Sequence, residues 1–164
     1  MTDTDKIVFL DIDGVLNTDL TKERTPTYYI NTGWGMQKRR YTGIEPYKVD
    51  ILIRILRETG AKLVLSSTWR HHEEMQDYMW KQLGKEVKER YIGDTPVEPG
   101  CAYRGKEIYD YLQLNPYKNF VILDDDLSVK DYFHKEFIET NPYKTGLTDE
   151  LADKAIKLLN GEKI

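Results

Sequence analysis

Lys6-Ile7-Val8-Phe9-Leu10-Asp11-Ile12-Asp13-Gly14-Val15-Leu16-Asn17 reads as a strand that ends in acids. The apolar run from Ile7 to Leu10 is continuous, as in a strand buried on both faces of a parallel sheet. Asp11 follows without a break, Asp13 comes two residues later, and Gly14 lets the backbone turn away. Two carboxylates at the end of a buried strand are costly unless a cation or a hydrogen-bonding substrate receives them. An Asp-Gly turn is common and accounts for Asp13-Gly14. It does not account for Asp11, which stands where the strand is still buried. Ligands of open α/β sheets bind outside the carboxyl ends of the central strands, so the pair points to a metal and phosphate site.

The chain around this stretch has 164 residues, of which 40% are hydrophobic and 32% charged. That is the composition of a soluble globular protein, long enough for one domain over 1–164 to bury a core unaided. The lone Cys101 excludes an internal disulfide, and no Cys and His spacing suggests zinc. No apolar run reaches the length of a membrane span. The acidic, polar start Met1-Thr2-Asp3-Thr4-Asp5 is unlike a secretory signal, so a cytoplasmic location is expected. A net charge of −4 excludes coating nucleic acid by general basicity but leaves room for a local basic patch.

Beyond the first strand, helix and strand patterns alternate. Pro46 opens a helix in which Val49, Leu52, Ile53 and Leu56 share a face, and Gly60 ends it. Lys62 to Ser66 is a second apolar strand. Helix follows over about 72–83, with Met75, Tyr78, Met79 and Leu83 on one side. Tyr91-Ile92-Gly93 is a weak strand before a Pro-rich turn at 94–100. Helix over 104–112, a buried strand over 119–123 and a short edge strand at Phe137-Ile138 come next. Thr148 caps a last helix with Leu151, Ala155, Ile156 and Leu159 toward the core. Such alternation predicts an α/β fold, a three-layer, Rossmann-like parallel sheet with helices on both faces. Residues 18–44 break the pattern. A stretch that long is expected to form a small cap or flap, partly a β-hairpin through 27–30 and 40–41.

Three further segments carry chemistry. The second strand runs into Ser66-Ser67-Thr68-Trp69-Arg70. Its hydroxyls can donate to a phosphate oxygen, or simply cap the next helix. Ser66 is the first choice as phosphate ligand, with Ser67 and Thr68 as substitutes. Arg70 suits a bidentate pair with an anionic substrate, although an Arg at a helix start is equally ordinary. The late strand ends Leu123-Asp124-Asp125-Asp126. Three successive carboxylates repel one another and call for a cation. A solvated turn accounts for Asp126 but poorly for Asp124 and Asp125. Between these segments, Arg104 and Lys106 sit at a helix N-terminus, where the helix dipole disfavours cations. That placement suits a role facing anions; Arg104 is preferred, Lys106 is second, and a solvated position is the alternative for both.

In order, Asp-x-Asp-Gly, the hydroxyl strand end, the basic helix start and the acidic strand end resemble the four motifs of the haloacid dehalogenase (HAD) superfamily. Most of its members are phosphatases. More narrowly, Leu65-Ser66-Ser67-Thr68-Trp69-Arg70, Ile92-Gly93-Asp94-Thr95-Pro96, Arg104-Gly105-Lys106-Glu107-Ile108 and Leu123-Asp124-Asp125-Asp126 resemble the HAD domain of Swiss Army Knife RNA-repair proteins. The resemblance implies a HAD-like fold with Asp11 as nucleophile and Asp13 as general acid and base. It implies Mg²⁺ held by Asp11, the Asp13 carbonyl and Asp125, with Asp124 in support, and phosphoryl oxygens held by Ser66 and Arg104.

Substrate is less legible. Residues 18–44 hold Lys22, Arg24, Lys38, Arg39 and Arg40 interleaved with Tyr28, Tyr29, Trp34 and Tyr41. Basic residues among aromatics suit a nucleotide or a single-stranded end, and a solvated loop fits as well. His71 and His72 are a second phosphate contact or a solvated pair. The expected activity is a Mg²⁺-dependent phosphatase acting on nucleotides or phosphorylated nucleic-acid ends. Sugar phosphates and other small metabolites are the alternative substrates. A non-catalytic binding module is the alternative class, disfavoured because it has no need of Asp13.

Overall fold

The computed structural model describes residues 6–21, 28–31, 38–41, 43–97 and 103–164, the two short segments 28–31 and 38–41 as backbone only. Cys101 and part of the Pro-rich turn lie outside the described residues. Five strands form one all-parallel sheet: β1 (Lys6–Leu10), β4 (Lys62–Leu65), β5 (Tyr91–Asp94), β6 (Asn119–Asp124) and β7 (Phe137–Glu139). Their order is β5-β4-β1-β6-β7. The chain starts at the centre, builds to one edge, then returns past β1 to build the other. Strand order therefore reverses between β1 and β6, which opens a crevice at their carboxyl ends.

The continuous apolar runs split by parity between two cores. Val8, Leu10, Leu63, Leu65, Val121 and Leu123 pack beneath α1 (Pro46–Thr59), α2 (Glu73–Leu83), the short α3 (Lys85–Lys88) and α5 (Asp149–Leu159). Ile7, Phe9, Val64 and Ile122 pack on the other face with Ile108 of α4 (Arg104–Leu114) and with Val129 of a 3-10 turn, Leu127–Asp131. Both faces are covered, so the three-layer α/β reading holds.

The expected elements are found, with differences that packing explains. α1 touches α5, α2 and α3, so its buried stripe is wider than a single-face pattern. Lys48, Ile51 and Ile55 are buried with Val49, Leu52 and Leu56, whereas Ile53 is only partly so. In α5, Ala152, Ala155, Leu158 and Leu159 are buried, while Leu151 and Ile156 flank them. Two 3-10 turns, Thr68–His71 and Leu127–Asp131, follow β4 and β6 directly. They are too short to leave a periodic signal.

Within 18–44 the expected hairpin is present as antiparallel β2 (Tyr28–Asn31) and β3 (Lys38–Tyr41), with Tyr28 opposite Tyr41. At the start of this stretch Thr18 and Thr21 are buried, and the Asp19 N–H donates to the Pro142 carbonyl at 3.0 Å. On the return, Ile44 is buried and the Glu45 N–H donates to the Leu16 carbonyl at 2.9 Å. Among the described residues no helix is long and apolar enough to cross a membrane.

Candidate active site

Leu10 is level with Leu65 on one side and Leu123 on the other. The ladder continues one residue further, since Asp11 N–H donates to the Leu123 carbonyl and Ser66 N–H to the Leu10 carbonyl, both at 3.0 Å. Asp124, Asp11 and Ser66 therefore stand in one row across β6, β1 and β4. By the alternation of strand side chains they share the face covered by α4.

The first residue of α4 meets that row. Arg104 Nη1 lies 3.1 Å from Asp11 Oδ1 and 2.9 Å from Asp124 Oδ2, with all three side chains buried. These two ion pairs offset the unfavourable position of a cation at a helix start. Gly105 allows the approach: a Cβ there would fall 2.5 Å from the Ser128 carbonyl oxygen. Lys106 instead pairs with Asp110 one turn along α4, so the geometry brings Arg104, and not Lys106, to the carboxylates.

Carboxylate oxygens of Asp11, Asp124 and Asp125 lie within 4.8 Å of one another. Burial, the Asp11 charge and a shared hydrogen bond push Asp125 up to about 7. Burial and Asp11 also push Asp124 well above the usual carboxylate range, against the pull of Arg104. With all three carboxylates ionised, the one guanidinium would leave two negative charges uncompensated, which is why protons are held here more tightly than usual. Asp126 turns away to cap the 3-10 turn, where its Oδ1 accepts from the Ser128 N–H at 2.9 Å.

Asp13 is not part of that cluster. Its carboxylate accepts from Trp69 Nε1 at 2.8 Å and from Asn17 Nδ2 at 3.0 Å. The two serines separate cleanly. Ser67 Oγ accepts from the Trp69 N–H at 3.2 Å as a cap. Ser66 Oγ is fully buried and has no hydrogen-bond partner among the described residues, as is also true of Thr95 Oγ1 just past β5. A buried hydroxyl without a partner costs about 1–3 kcal/mol, and an oxyanion bound beside Asp11 would satisfy it.

Arg70, read from the sequence as a substrate contact, is buried with its donors taken. Nη1 donates to the Ser66 and Ser67 carbonyls at 2.6 and 2.7 Å, and Nε to the Thr95 carbonyl at 3.2 Å. Nη2 donates to the Pro96 carbonyl at 3.3 Å and to Glu107 Oε2 at 2.8 Å. Five N–H groups meet five acceptors, so Arg70 ties the ends of β4 and β5 to α4. His71 and His72 are exposed. Lys38, Arg39 and Arg40 lie in β3, where only the backbone is described, and Trp34 lies outside the described residues.

Asn17, Trp69, Glu107 and Thr140 complete the site without having been singled out. Thr140 Oγ1 donates to the Gly14 carbonyl at 2.8 Å, and its N–H to the Asp124 carbonyl at 3.0 Å. An Asn at the end of the first motif and an indole in the second were visible as residues. Their partners are set by tertiary contacts.

A parallel sheet with acids at its central strand ends and a basic residue closing over them defines a HAD-type domain. The chain belongs to the family described as "HAD domain in Swiss Army Knife RNA repair proteins", whose model matches residues 7–152. HAD domains form a family of phosphatase-type hydrolases. No curated protein shows significant sequence similarity to the chain. Among solved structures, the chain is similar to the Legionella pneumophila effector Ceg4, crystallised with an N-terminal yeast Hog1p sequence. Identity is 16% over 93% of this chain and 95% of that one, with a TM-score of 0.49. At that level the likeness adds nothing to the family assignment.

Proposed function

We propose that the protein is a Mg²⁺-dependent phosphatase that hydrolyses monoesters through an aspartyl-phosphate on Asp11. Its proposed substrates are nucleotides or phosphorylated nucleic-acid ends. The row Asp124–Asp11–Ser66, closed by Arg104, carries this reading. A carboxylate, a hydroxyl without a partner among the described residues and a guanidinium side by side at the central strand ends support it.

The residues fit a divalent ion. Three clustered carboxylates stand against one guanidinium, and burial together with the Asp11 charge pushes Asp125 upward, a crowding that a divalent cation would relieve. Asp11, Asp125 and the Asp13 main-chain carbonyl would hold Mg²⁺, backed by Asp124. Once bound, the ion would offset the charge of the phosphoryl oxygens.

Arg104 fixes the Asp11 carboxylate through Oδ1. Asp11 attacks phosphorus while the bond to the leaving oxygen breaks, and Asp13 gives that oxygen a proton. Asp13 then takes a proton from the water whose oxygen displaces Asp11 from phosphorus. Ser66 donates to a phosphoryl oxygen, and the Arg104 guanidinium is a further donor. The RNA-repair setting in the family's description and the basic, aromatic insertion support a nucleic-acid or nucleotide substrate.

The test is a panel of p-nitrophenyl phosphate, nucleotides, end-phosphorylated oligonucleotides and sugar phosphates, each with EDTA and with Mg²⁺ restored. Turnover is expected to stop with EDTA and return with Mg²⁺, with kcat/KM highest on nucleotides or oligonucleotide ends. Highest kcat/KM on sugar phosphates would overturn the substrate assignment. Hydrolysis of none of them would overturn the catalytic reading in favour of a binding module.

A further inference from the structure

We infer that Trp69 is a positioning residue for Asp13: its indole N–H holds the acid–base carboxylate toward the leaving oxygen and then toward water. The inference rests on the phosphatase reading above.

Trp69 is a fully buried side chain, and a buried indole needs an acceptor for its N–H. A backbone carbonyl would serve. The acceptor found is the carboxylate of an exposed turn residue 56 positions earlier, at 2.8 Å. The indole itself is fixed: its ring stacks on Tyr78 at 6.1 Å and 17°, and its backbone N–H is capped by Ser67 Oγ. The second Asp13 oxygen is held by Asn17 Nδ2 at 3.0 Å, while Asn17 Oδ1 accepts from the Gly14 N–H at 3.1 Å. Each oxygen of an exposed carboxylate is thus tied to a different anchor. One anchor belongs to the Asp13 loop and the other to the segment that carries Ser66. The segment after β4 therefore presents a hydroxyl to the phosphoryl site and also orients the acid.

Orientation matters because Asp13 acts twice. As the Asp11 oxygen bonds to phosphorus, the bond to the leaving oxygen breaks and the Asp13 proton moves to that oxygen. As water then bonds to phosphorus, the Asp11–phosphorus bond breaks and a water proton returns to Asp13. A carboxylate free to rotate in solvent would be in position for neither transfer most of the time. Indole is a donor only, so it holds the carboxylate without competing for the transferred proton.

The test uses leaving groups of unequal need. An alkoxide leaves only with a proton, whereas p-nitrophenolate leaves without one. kcat/KM reports steps up to formation of the aspartyl-phosphate and is measured for p-nitrophenyl phosphate and for an alkyl monoester. In Trp69→Phe, which keeps most of the apolar volume, kcat/KM on the alkyl ester is expected to fall about 10²-fold, the low end for general acid catalysis. The aryl ester is expected to lose less, so the aryl-to-alkyl ratio rises at least about tenfold, a change that lost packing alone does not produce. Asn17→Ala is expected to move the ratio the same way, and carries the test if Trp69→Phe does not fold. Equal loss on both esters, or no loss on either, overturns the inference and leaves the phosphatase reading intact. A wild type inactive on both esters overturns that reading and the inference with it.

Discussion

Gly14 is where backbone geometry and the proposed metal site meet, and Gly14→Ala measures both. Its φ is +84°, and a Cβ there would fall 2.7 Å from Asp125 Cγ and Oδ2 and 2.9 Å from Pro142 Cβ. The left-handed conformation costs an alanine about 1–2 kcal/mol. Contacts this short add the cost of overpacking, about 1–3 kcal/mol. Pro142 is held through its carbonyl by the Asp19 N–H, and the Gly14 carbonyl by Thr140. The Asp125 carboxylate is therefore the group that moves. Together the costs reach about 2–5 kcal/mol, which for a chain of this size lowers Tm by roughly 4–20 °C.

The metal response separates the causes. Mg²⁺ at a hundred times its Kd stabilises a native state by about 2.7 kcal/mol, an upshift of roughly 5–11 °C in the wild type. Gly14→Ala is expected to lose most of that upshift because Asp125 has been displaced. Gly60→Ala is the control: its φ is +70°, and nothing lies within 4 Å of an added Cβ. It carries the backbone cost alone and keeps the full Mg²⁺ upshift. Thermal melts with and without Mg²⁺ decide the matter. A Gly14→Ala protein that keeps both the wild-type Tm and the wild-type upshift would refute the placement of Asp125 at the metal.

Asp11→Asn is expected to fold and to lose turnover, since an amide cannot attack phosphorus, while Asp13→Asn leaves phosphate trapped on Asp11, seen as added mass in the intact protein. Wild-type turnover in Asp11→Asn would remove the nucleophile assignment. Arg70→Met leaves the buried Glu107 without its 2.8 Å partner; breaking such a pair costs about 3–5 kcal/mol, or roughly 6–20 °C in Tm. An unchanged melt would show that the clamp is dispensable. Arg70→Lys is expected to rescue poorly, because three donors replace five. In the metal-free protein Asp125 is raised from 3.8 to about 7, so the folded state binds more protons than the unfolded between those values. Stability without metal therefore falls as pH rises through that window, and the Mg²⁺ upshift grows across it because the ion displaces the proton. An upshift that is the same at about pH 5 and about pH 8 would contradict this linkage.

What could be read from the sequence follows from how local each cause is. Asp11, Asp124 and Asp125 were legible because acids at the end of a buried apolar run need compensation whatever the tertiary structure. The row joining Asp11 to Ser66 and Asp124 needed one more fact, the register, which places Leu10 level with Leu65 and Leu123. The choice between Arg104 and Lys106 was not local: α4 turns one toward β1 and β6 and the other toward Asp110. Arg70 misled for the same reason. Its five acceptors come from four residues at the ends of β4 and β5 and from Glu107 on α4, and no window of sequence contains them all. Trp69 and Asp13 are a sharper case. Asp13 was legible through its motif and Trp69 carried no reading of its own, and only the fold brings the indole N–H to the Asp13 carboxylate. Acids and hydroxyls at strand ends left a mark on the sequence because they break the pattern of burial. The residues that hold them in place find their partners far away in the sequence, so those roles come to light only when distant segments meet.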